Sequence, residues 1–455
     1  MWQRIKNVYH LGIAVLANIF YGFPSRNLRV IGVTGTDGKT TTTSLIYHIL
    51  HTAGYSVSMV SSIGAIIGGK GYDVGFHVTT PSPWALQRFL RKAVNYSDKM
   101  FRKSDNKLHG VRHSGEEGRR PQNLFDCSIV QGNSGRSLLR QGSGSLARMT
   151  MRKVSYLVLE VTSHAIDQNR IWGIPFAVGV LTNVTHEHLD YHKTYENYVK
   201  TKAKLLEMAK IAIVGRDDES YELIPKIKNR ISKTITYGIK KNADVNPENF
   251  PFETNLIGEF NKYNILAAIS ACQALGVPLD KIRKGIENFV PPTGREDIVY
   301  KNDFTVMIDF AHTPNAFEQI LKSIRPSIKG RLIHVFGAAG QRDASKRPLM
   351  GESSSKYADV VILTAEDPRS ESVEKIMNEI EAGIMNHELT KKTVLRISDR
   401  KKAIEEAIGM AKKGDFVLFT GKSHEKSMNY GHGEVAWDEY RVVRDALKQF
   451  SNLAV

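Results

Sequence analysis

The sequence predicts an α/β protein of two successive domains, each with a mostly parallel sheet. Three observations carry this. A buried strand expected at Leu28–Val33 runs into a glycine turn and a helix within VIGVTGTDGKTTTTS, Val30–Ser44. Fully apolar runs, Ser155–Val161 and Ala177–Leu181, then alternate with helix-length segments, as parallel strands buried on both faces do. After Pro291-Pro292-Thr293-Gly294-Arg295 the alternation begins afresh, with strands expected at Thr305–Asp309, Arg331–Phe336, Val360–Thr364 and Phe416–Thr420. The expected layout is an N-terminal apolar helix in 1–27, a central domain at 28–292 and a second, Rossmann-like α/β domain at 293–455.

Composition narrows the function classes. A chain of 455 residues with 41% hydrophobic and 24% charged content is an ordinary globular protein. Its two cysteines, Cys127 and Cys272, argue against a disulfide framework and a four-cysteine zinc site. The net charge of +16 invites a nucleic-acid reading. However, residues 96–152 hold eleven Lys/Arg against five Asp/Glu, and the rest of the excess is spread along the chain. With no DNA- or RNA-binding motif, no nucleic-acid partner is expected.

The N-terminal run Val8–Tyr21 is mostly apolar and follows Arg4 and Lys6. No small-residue cleavage site follows it, and it is too short to span a bilayer. A core-packing or amphipathic helix is expected, with peripheral membrane contact as the alternative. The protein is expected to be cytoplasmic and monomeric.

The loop in Val30–Ser44 has the layout of a phosphate-binding loop. Gly35 and Gly38 allow a tight turn and close approach of backbone to phosphate oxygens. Amide N–H groups at the helix start, together with the helix dipole, attract an anion. Lys39 would neutralise charge on the outer phosphates and Thr40 would offer its hydroxyl to Mg²⁺. The spacing from Gly35 is shorter than in the usual phosphate-loop pattern.

Downstream, a strand is expected at Ser56–Ser61 and a glycine-rich turn at Gly68-Gly69 and Gly71. The corner Thr79-Thr80-Pro81 launches a helix at Pro83–Val94; its hydroxyls either cap that helix or hold a substrate phosphate. Residues 96–152, rich in Ser, Gly, Arg, Asn and Gln, are expected to be an inserted, largely disordered loop. Glu160 and the group His186–Asp190 close two parallel strands, so they share an edge with the phosphate loop. A helix at Tyr195–Ala209 carries Lys200, Lys202 and Lys204, and Gly258–Asn264 opens another.

Glu160 and His188 would place a hard oxygen and an imidazole beside bound phosphates; one carboxylate with phosphates and waters makes a normal Mg²⁺ shell. Lys202 follows His188 by fourteen residues. At this point the chain resembles the Mur ligases, most closely the UDP-N-acetylmuramoyl-tripeptide synthetases. The resemblance rests on TGTDGKTTT, TTPS, LEVTSHAIDQNR, TNVTHEHLDYH, the lysine of YVKTK, GEFNKYN, TGRED, IDFAHTPNA, FGAAGQRDASKRPLMG, TAEDPRSE and GKSHE. Apart from the insertion, these cover Val30 to Leu447.

The resemblance implies an ATP-dependent, ADP-forming amide ligase of peptidoglycan synthesis. It would add meso-diaminopimelate or L-lysine to UDP-N-acetylmuramoyl-L-alanyl-D-glutamate through an acyl phosphate. Gly35, Thr36, Asp37, Gly38, Lys39, Thr40 and Thr41 would cradle ATP, with Thr40, Glu160, His188 and Lys202 on Mg²⁺. Lys202 stands at the family's carbamylated lysine; a carbamate turns that cation into an anion able to hold a second Mg²⁺. Asn261 and Asn264 match the adenine-side motif, and Arg295, Asp309 and His312 match ATP contacts from the second domain. Thr79, Thr80, Ser163, Gln168 and Arg170 match positions that hold the muramoyl peptide. Lys346 and Arg347 lie in the second domain's phosphate-side loop, and Asp367, Arg369 and Glu425 match the pocket for the incoming amino acid.

The chain departs from the family pattern in places. Only about 27 residues precede the phosphate-loop strand, where the family carries a uridine-gripping domain. Asp37 replaces the common Asn, Ser423 replaces the Gly of GKGHE, and DNPR appears as Glu366-Asp367-Pro368-Arg369. Arg369 suits a second carboxylate, as in diaminopimelate; Asp367 suits the ammonium of lysine. The alternatives are a folylpolyglutamate-type ligase or a non-catalytic binding protein derived from the family.

Overall fold

The computed structural model describes residues 2–75, 79–110, 154–224, 233–240, 242–385 and 392–453. Helix α1 (Trp2–Tyr21) leads into β1 (Arg29–Thr34), the central strand of the first sheet, one residue later than expected. Then come α2 (Lys39–Thr52), β2 (Ser56–Ser61), β3 (Gly64–Ile67), β4 (Lys70–Tyr72), α3 (Pro83–Gly110), β5 (Ser155–Glu160), α4 (Ser163–Asp167) and β6 (Phe176–Leu181). The unit closes with α5 (Leu189–His192), α6 (Tyr195–Met208), β7 (Ala209–Gly215), β8 (Thr234–Tyr237), α7 (Glu259–Ala274) and α8 (Leu279–Glu287).

The strand order is β4-β3-β2-β5-β1-β6-β7-β8, with β2 and β5 through β8 parallel to β1. The glycine turn at Gly68-Gly69 makes the antiparallel hairpin β3–β4; both glycines have positive φ, 61° and 74°, as a two-residue hairpin loop requires. Helices α2, α7 and α8 cover one face through Leu45, Ile49, Ile265, Ile269, Ile282 and Ile286. The other face buries Leu86, Phe89 and Leu90 of α3 with Phe176 and Leu205. Gly32 in β1 leaves room for that layer, since a Cβ there would lie 2.8 Å from Phe176 and 2.9 Å from Leu205.

The helix expected at Pro83–Val94 runs on to Gly110, so residues 96–110 are helical rather than loop. The buried row Leu86, Phe89, Leu90, Ala93, Val94 continues to Ser97, whose hydroxyl meets that of Ser155. A serine in the apolar row hides the 3.6-residue period from a count of hydrophobic residues. The remainder of the expected loop, 111–152, lies outside the described residues.

The second unit contains β9 (Asp297–Lys301), β10 (Thr305–Asp309), α9 (Pro314–Ile324), β11 (Leu332–Phe336), α10 (Lys346–Tyr357), β12 (Val360–Leu363) and α11 (Val373–Met385). It ends with β13 (Thr393–Arg396), α12 (Arg400–Gly409), β14 (Phe416–Thr420), a small hairpin of β15 (Ser427–Asn429) and β16 (Glu434–Ala436), and α13 (Glu439–Leu453). Its sheet, β13-β12-β11-β14-β10-β9, is parallel except for β9 at the edge. Among the described residues, no helix is long and apolar enough to cross a membrane.

Candidate active site between the two domains

A cleft of about 1140 Å³ lies where the carboxyl ends of β1, β5 and β6 face the second domain. Gly35 and Gly38 are held there by close approach. A Cβ on Gly35 would overlap the Thr182 hydroxyl, and one on Gly38 the Asn264 amide. Gly38, at φ 76°, precedes the first turn of α2 and leaves its N–H groups facing the cleft mouth. Thr36 in the loop and Thr41 in the first turn of α2 are buried, and Thr36 Oγ1 accepts from Thr185 N at 3.0 Å. Lys39 folds over the loop and donates to Thr36 O at 2.7 Å.

Thr40 is the meeting point. Its hydroxyl donates to Glu160 Oε1 at 3.1 Å, lies 3.0 Å from Ser62 Oγ and accepts from Arg295 Nη2 at 3.1 Å. The Ser62 N–H donates to Glu160 Oε2 at 3.1 Å. A hydroxyl and a carboxylate side by side at a helix N-terminus are hard oxygen donors, the set Mg²⁺ takes together with phosphate and water. The donor chemistry therefore fits a magnesium–triphosphate group.

His188 does not join that point. It sits in the left-handed region at φ 57°, with Nδ1 3.8 Å from Glu187 and its ring edge-on to His164 at 4.9 Å. Burial, then His164 and the nearby lysines, hold its pKa well down. Among the described residues, no three His, Cys, Asp or Glu side chains form a metal-holding group. Lys202 is buried beside the phosphate loop, donating to Gly35 O at 2.6 Å and lying 4.4 Å from the Tyr198 ring centroid. Burial and then Lys39 lower its pKa well below that of an ordinary lysine.

The second domain contributes through the cleft's far wall. The Arg295 guanidinium lies 4.6 Å from the Phe310 ring centroid. Asp309 accepts from Glu296 N at 2.8 Å and Ala311 N at 2.7 Å; burial pushes its carboxyl up, against the pull of Arg295. His312 Nδ1 lies 2.8 Å from the Phe310 carbonyl, which makes that nitrogen the donor. Burial and Lys346 lower its pKa to about 4. On α7, Asn264 donates to Asn261 Oδ1 at 3.0 Å, and Asn261 donates to Ile257 O and to Glu296.

The expected substrate residues divide into two groups. Thr79, Thr80, Arg170, Lys346, Asp367, Arg369 and Glu425 line the cleft. Thr80 also ties the corner to β5, donating to Glu160 O at 3.0 Å and accepting from Thr162 N at 3.0 Å. Ser163, Gln168 and Arg347 are not in the lining. Ser163 Oγ meets His192 Nε2 at 3.0 Å. Gln168 Oε1 accepts from Arg170 at 3.0 and 2.6 Å, orienting that guanidinium. Arg347 is buried in ion pairs with Glu371 at 3.0 Å and Glu379 at 2.5 Å.

Three residues not singled out from the sequence complete the site. Glu187 accepts from Lys346 Nζ at 3.2 Å on both oxygens. Glu296 reaches Asn261, and burial with Asp309 pushes its carboxyl up to about 8. Lys422 is buried between Asp367 at 2.9 Å and Glu425 at 2.6 Å. Their neighbours in HEH, GRED and GKSHE were signals that the region mattered, but not which side chain turned inward.

Fold and loop together define a phosphate-loop α/β protein whose loop faces a second α/β domain. The chain belongs to the Mur ligase family: the profile of the Mur ligase middle domain matches residues 33–101 and 141–272, and that of the Mur ligase glutamate ligase domain matches 294–423. It is 34% identical over 458 residues to UDP-N-acetylmuramoyl-L-alanyl-D-glutamate--2,6-diaminopimelate ligase 1 of Clostridium acetobutylicum, with 96% of this chain and 82% of the relative covered. A solved structure of a UDP-N-acetylmuramoyl-L-alanyl-D-glutamate--2,6-diaminopimelate ligase superposes at TM-score 0.54 and 26% identity, covering 93% of this chain and 78% of that one. E. coli FolC in complex with ADP superposes at TM-score 0.62 over 98% and 94% of the two chains, at 18% identity, a likeness of fold alone.

Proposed function

We propose that this protein is an ATP-dependent, ADP-forming ligase that joins meso-diaminopimelate to UDP-N-acetylmuramoyl-L-alanyl-D-glutamate. The observation that carries the reading is Thr40: one hydroxyl gathers the phosphate loop, Glu160 from the first sheet and Arg295 from the second domain. The name and 34% identity of the Clostridium acetobutylicum relative support the substrate pair.

The roles follow from position. Bound ATP would supply the phosphoryl group that activates a substrate carboxylate, and Thr40 and Glu160 would hold the Mg²⁺ that neutralises phosphate charge. The N–H groups from Gly38 onward and the Lys39 ammonium receive the phosphates. Arg295 brings a cation to the same point from the second domain, so domain closure completes the charge set. Arg170, oriented by Gln168, faces the acceptor's carboxylates. His188 and a carbamylated Lys202 would hold a second metal ion, in keeping with the buried placement of Lys202 at the loop.

The geometry around Asp367 favours diaminopimelate over lysine. Asp367 is bound by buried Lys422, so its charge is already answered within the protein. Arg369 lines the cleft, where its guanidinium would take the distal carboxylate. The same reading makes the protein a cytoplasmic monomer, which fractionation and light scattering check.

With ATP, acceptor and hydroxylamine but no amino acid, the wild type should yield an acyl hydroxamate and Lys39→Ala none. Hydroxamate formed equally by both would remove Lys39 from the reaction. Lys202→Ala should be nearly inactive and partly rescued by short carboxylates; full activity without rescue would contradict the carbamate.

A further inference from the structure

Helix α1 is turned inside out. Two of its asparagines face the protein: Asn7 donates to Asp167 Oδ2 at 3.0 Å, and Asn18 donates to Trp172 O at 2.9 Å and to Ala14 O at 2.9 Å. Ala14 and Ala17 are buried on the same side. The solvent side carries Ile5, Val8, Tyr9, Leu16, Ile19 and Phe20, between 55% and 72% exposed. At 100° per residue they fall in one stripe about 120° wide. Scattered exposed apolar residues need no explanation, but a continuous stripe along a 20-residue helix does.

Charge says what covers it. The stripe ends at Phe20, whose ring meets Trp84 of α3 edge-on at 5.3 Å. From Trp84 the exposed side of α3 continues through Arg88, Lys92 and Lys99, with Arg91 donating to the carbonyls at the end of α1. Helix α1 contains no Asp or Glu. The face is therefore an apolar row with aromatic rings at one end, adjoining a basic row. A second copy docked face to face would bring two such basic rows together in a chain of net charge +16. An anionic lipid surface instead receives the apolar row among its acyl chains and the basic row among its headgroups. We propose that α1 and the start of α3 form a peripheral docking face for an anionic phospholipid bilayer, with α1 lying in the plane of the interface.

Flotation of the full chain with vesicles tests this, comparing phosphatidylcholine alone with phosphatidylcholine plus phosphatidylglycerol. Binding is expected to the anionic vesicles, weakening as salt rises. Val8→Asp with Leu16→Asp should weaken it at least about tenfold, with circular dichroism and thermal unfolding unchanged. Val8→Ser with Leu16→Ser, the milder pair, should show a smaller loss in the same direction. Arg88→Glu with Lys99→Glu should reduce binding to anionic vesicles only. Binding indifferent to both apolar pairs would overturn the proposal. So would no vesicle binding by a monomeric chain, or a dimer in light scattering that the apolar substitutions dissociate, which would make a second copy the occupant.

Discussion

Asp37, in the phosphate loop, accepts a hydrogen bond at 3.0 Å from the hydroxyl of Thr313, the residue that caps α9 in the second domain. Its other oxygen accepts from Asn315 Nδ2 at 2.8 Å and from Thr185 Oγ1 at 3.2 Å. One carboxylate thus binds the loop to the far domain, where the family commonly has an amide with a single acceptor oxygen. Hydrogen bonds to a charged group contribute on the order of 1.5–3 kcal/mol each. Asp37→Ala should therefore loosen the domains, seen as a broader interdomain distance distribution between spin labels placed one per domain. An unchanged distribution would show that the contact does not set the domain arrangement.

The second prediction concerns the segment after α3. The middle-domain profile breaks off after residue 101 and resumes at 141, while α3 packs through Ser97. Replacing 111–140 with a short glycine-serine linker should leave the melting temperature unchanged. Replacing 96–152, the span expected from composition, should lower it by removing Tyr96 from Gly68 and Ser97 from Ser155. Equal melting temperatures for both would mean that the end of α3 does not stabilise the fold.

His334 makes stability depend on pH. It is buried on β11, with Nδ1 2.9 Å from Ser354 Oγ and Nε2 3.0 Å from Thr420 Oγ1. Burial, then Arg400, lowers its pKa to about 3. The unfolded chain takes up this proton near pH 6.5, whereas the native protein resists it until about pH 3. Its contribution is therefore complete above pH 6.5 and declines as pH falls through that window. The decline is about 1.4 kcal/mol per pH unit once the unfolded group is protonated. His334→Gln should show a smaller fall in melting temperature between neutral pH and pH 5. An equal fall would assign the acid sensitivity elsewhere.

Arg369 is the specificity test. Its backbone is in the left-handed region at φ 51°, fixed by N–H donation to Asn429 O at 2.9 Å; its guanidinium donates to the Gly340 carbonyl, and the residue lines the cleft. Arg369→Ala should raise the Michaelis constant for diaminopimelate at least about tenfold, the effect of losing about 1.4 kcal/mol. The constant for lysine should change much less. Equal losses would mean that Arg369 holds the α-carboxylate common to both amino acids.

Much of this was legible in the sequence because the signals were local. The turn from β1 into α2 requires glycine at two close approaches, and Gly35 and Gly38 announce it. Buried parallel strands read as apolar runs, so Thr305–Asp309 and Phe416–Thr420 coincide with β10 and β14. Side-chain direction was less legible. Arg347 shares a motif with Lys346, yet one turns to Glu371 and Glu379 while the other reaches Glu187 across the cleft. Glu187 pairs with Lys346 and Lys422 with Asp367, each far away in the chain, and no spacing rule marks such pairs. The short strands β3, β4 and β9, at or next to a sheet edge, were also missed, being too brief for a period to register.

The most direct measurement is phosphate release from ATP in the presence of Mg²⁺, with each substrate omitted in turn. Sustained release is expected only when UDP-N-acetylmuramoyl-L-alanyl-D-glutamate and meso-diaminopimelate are both present, and none with Lys39→Ala. Release that ignores the muramoyl dipeptide, or that requires a folate acceptor in its place, would contradict the proposed function.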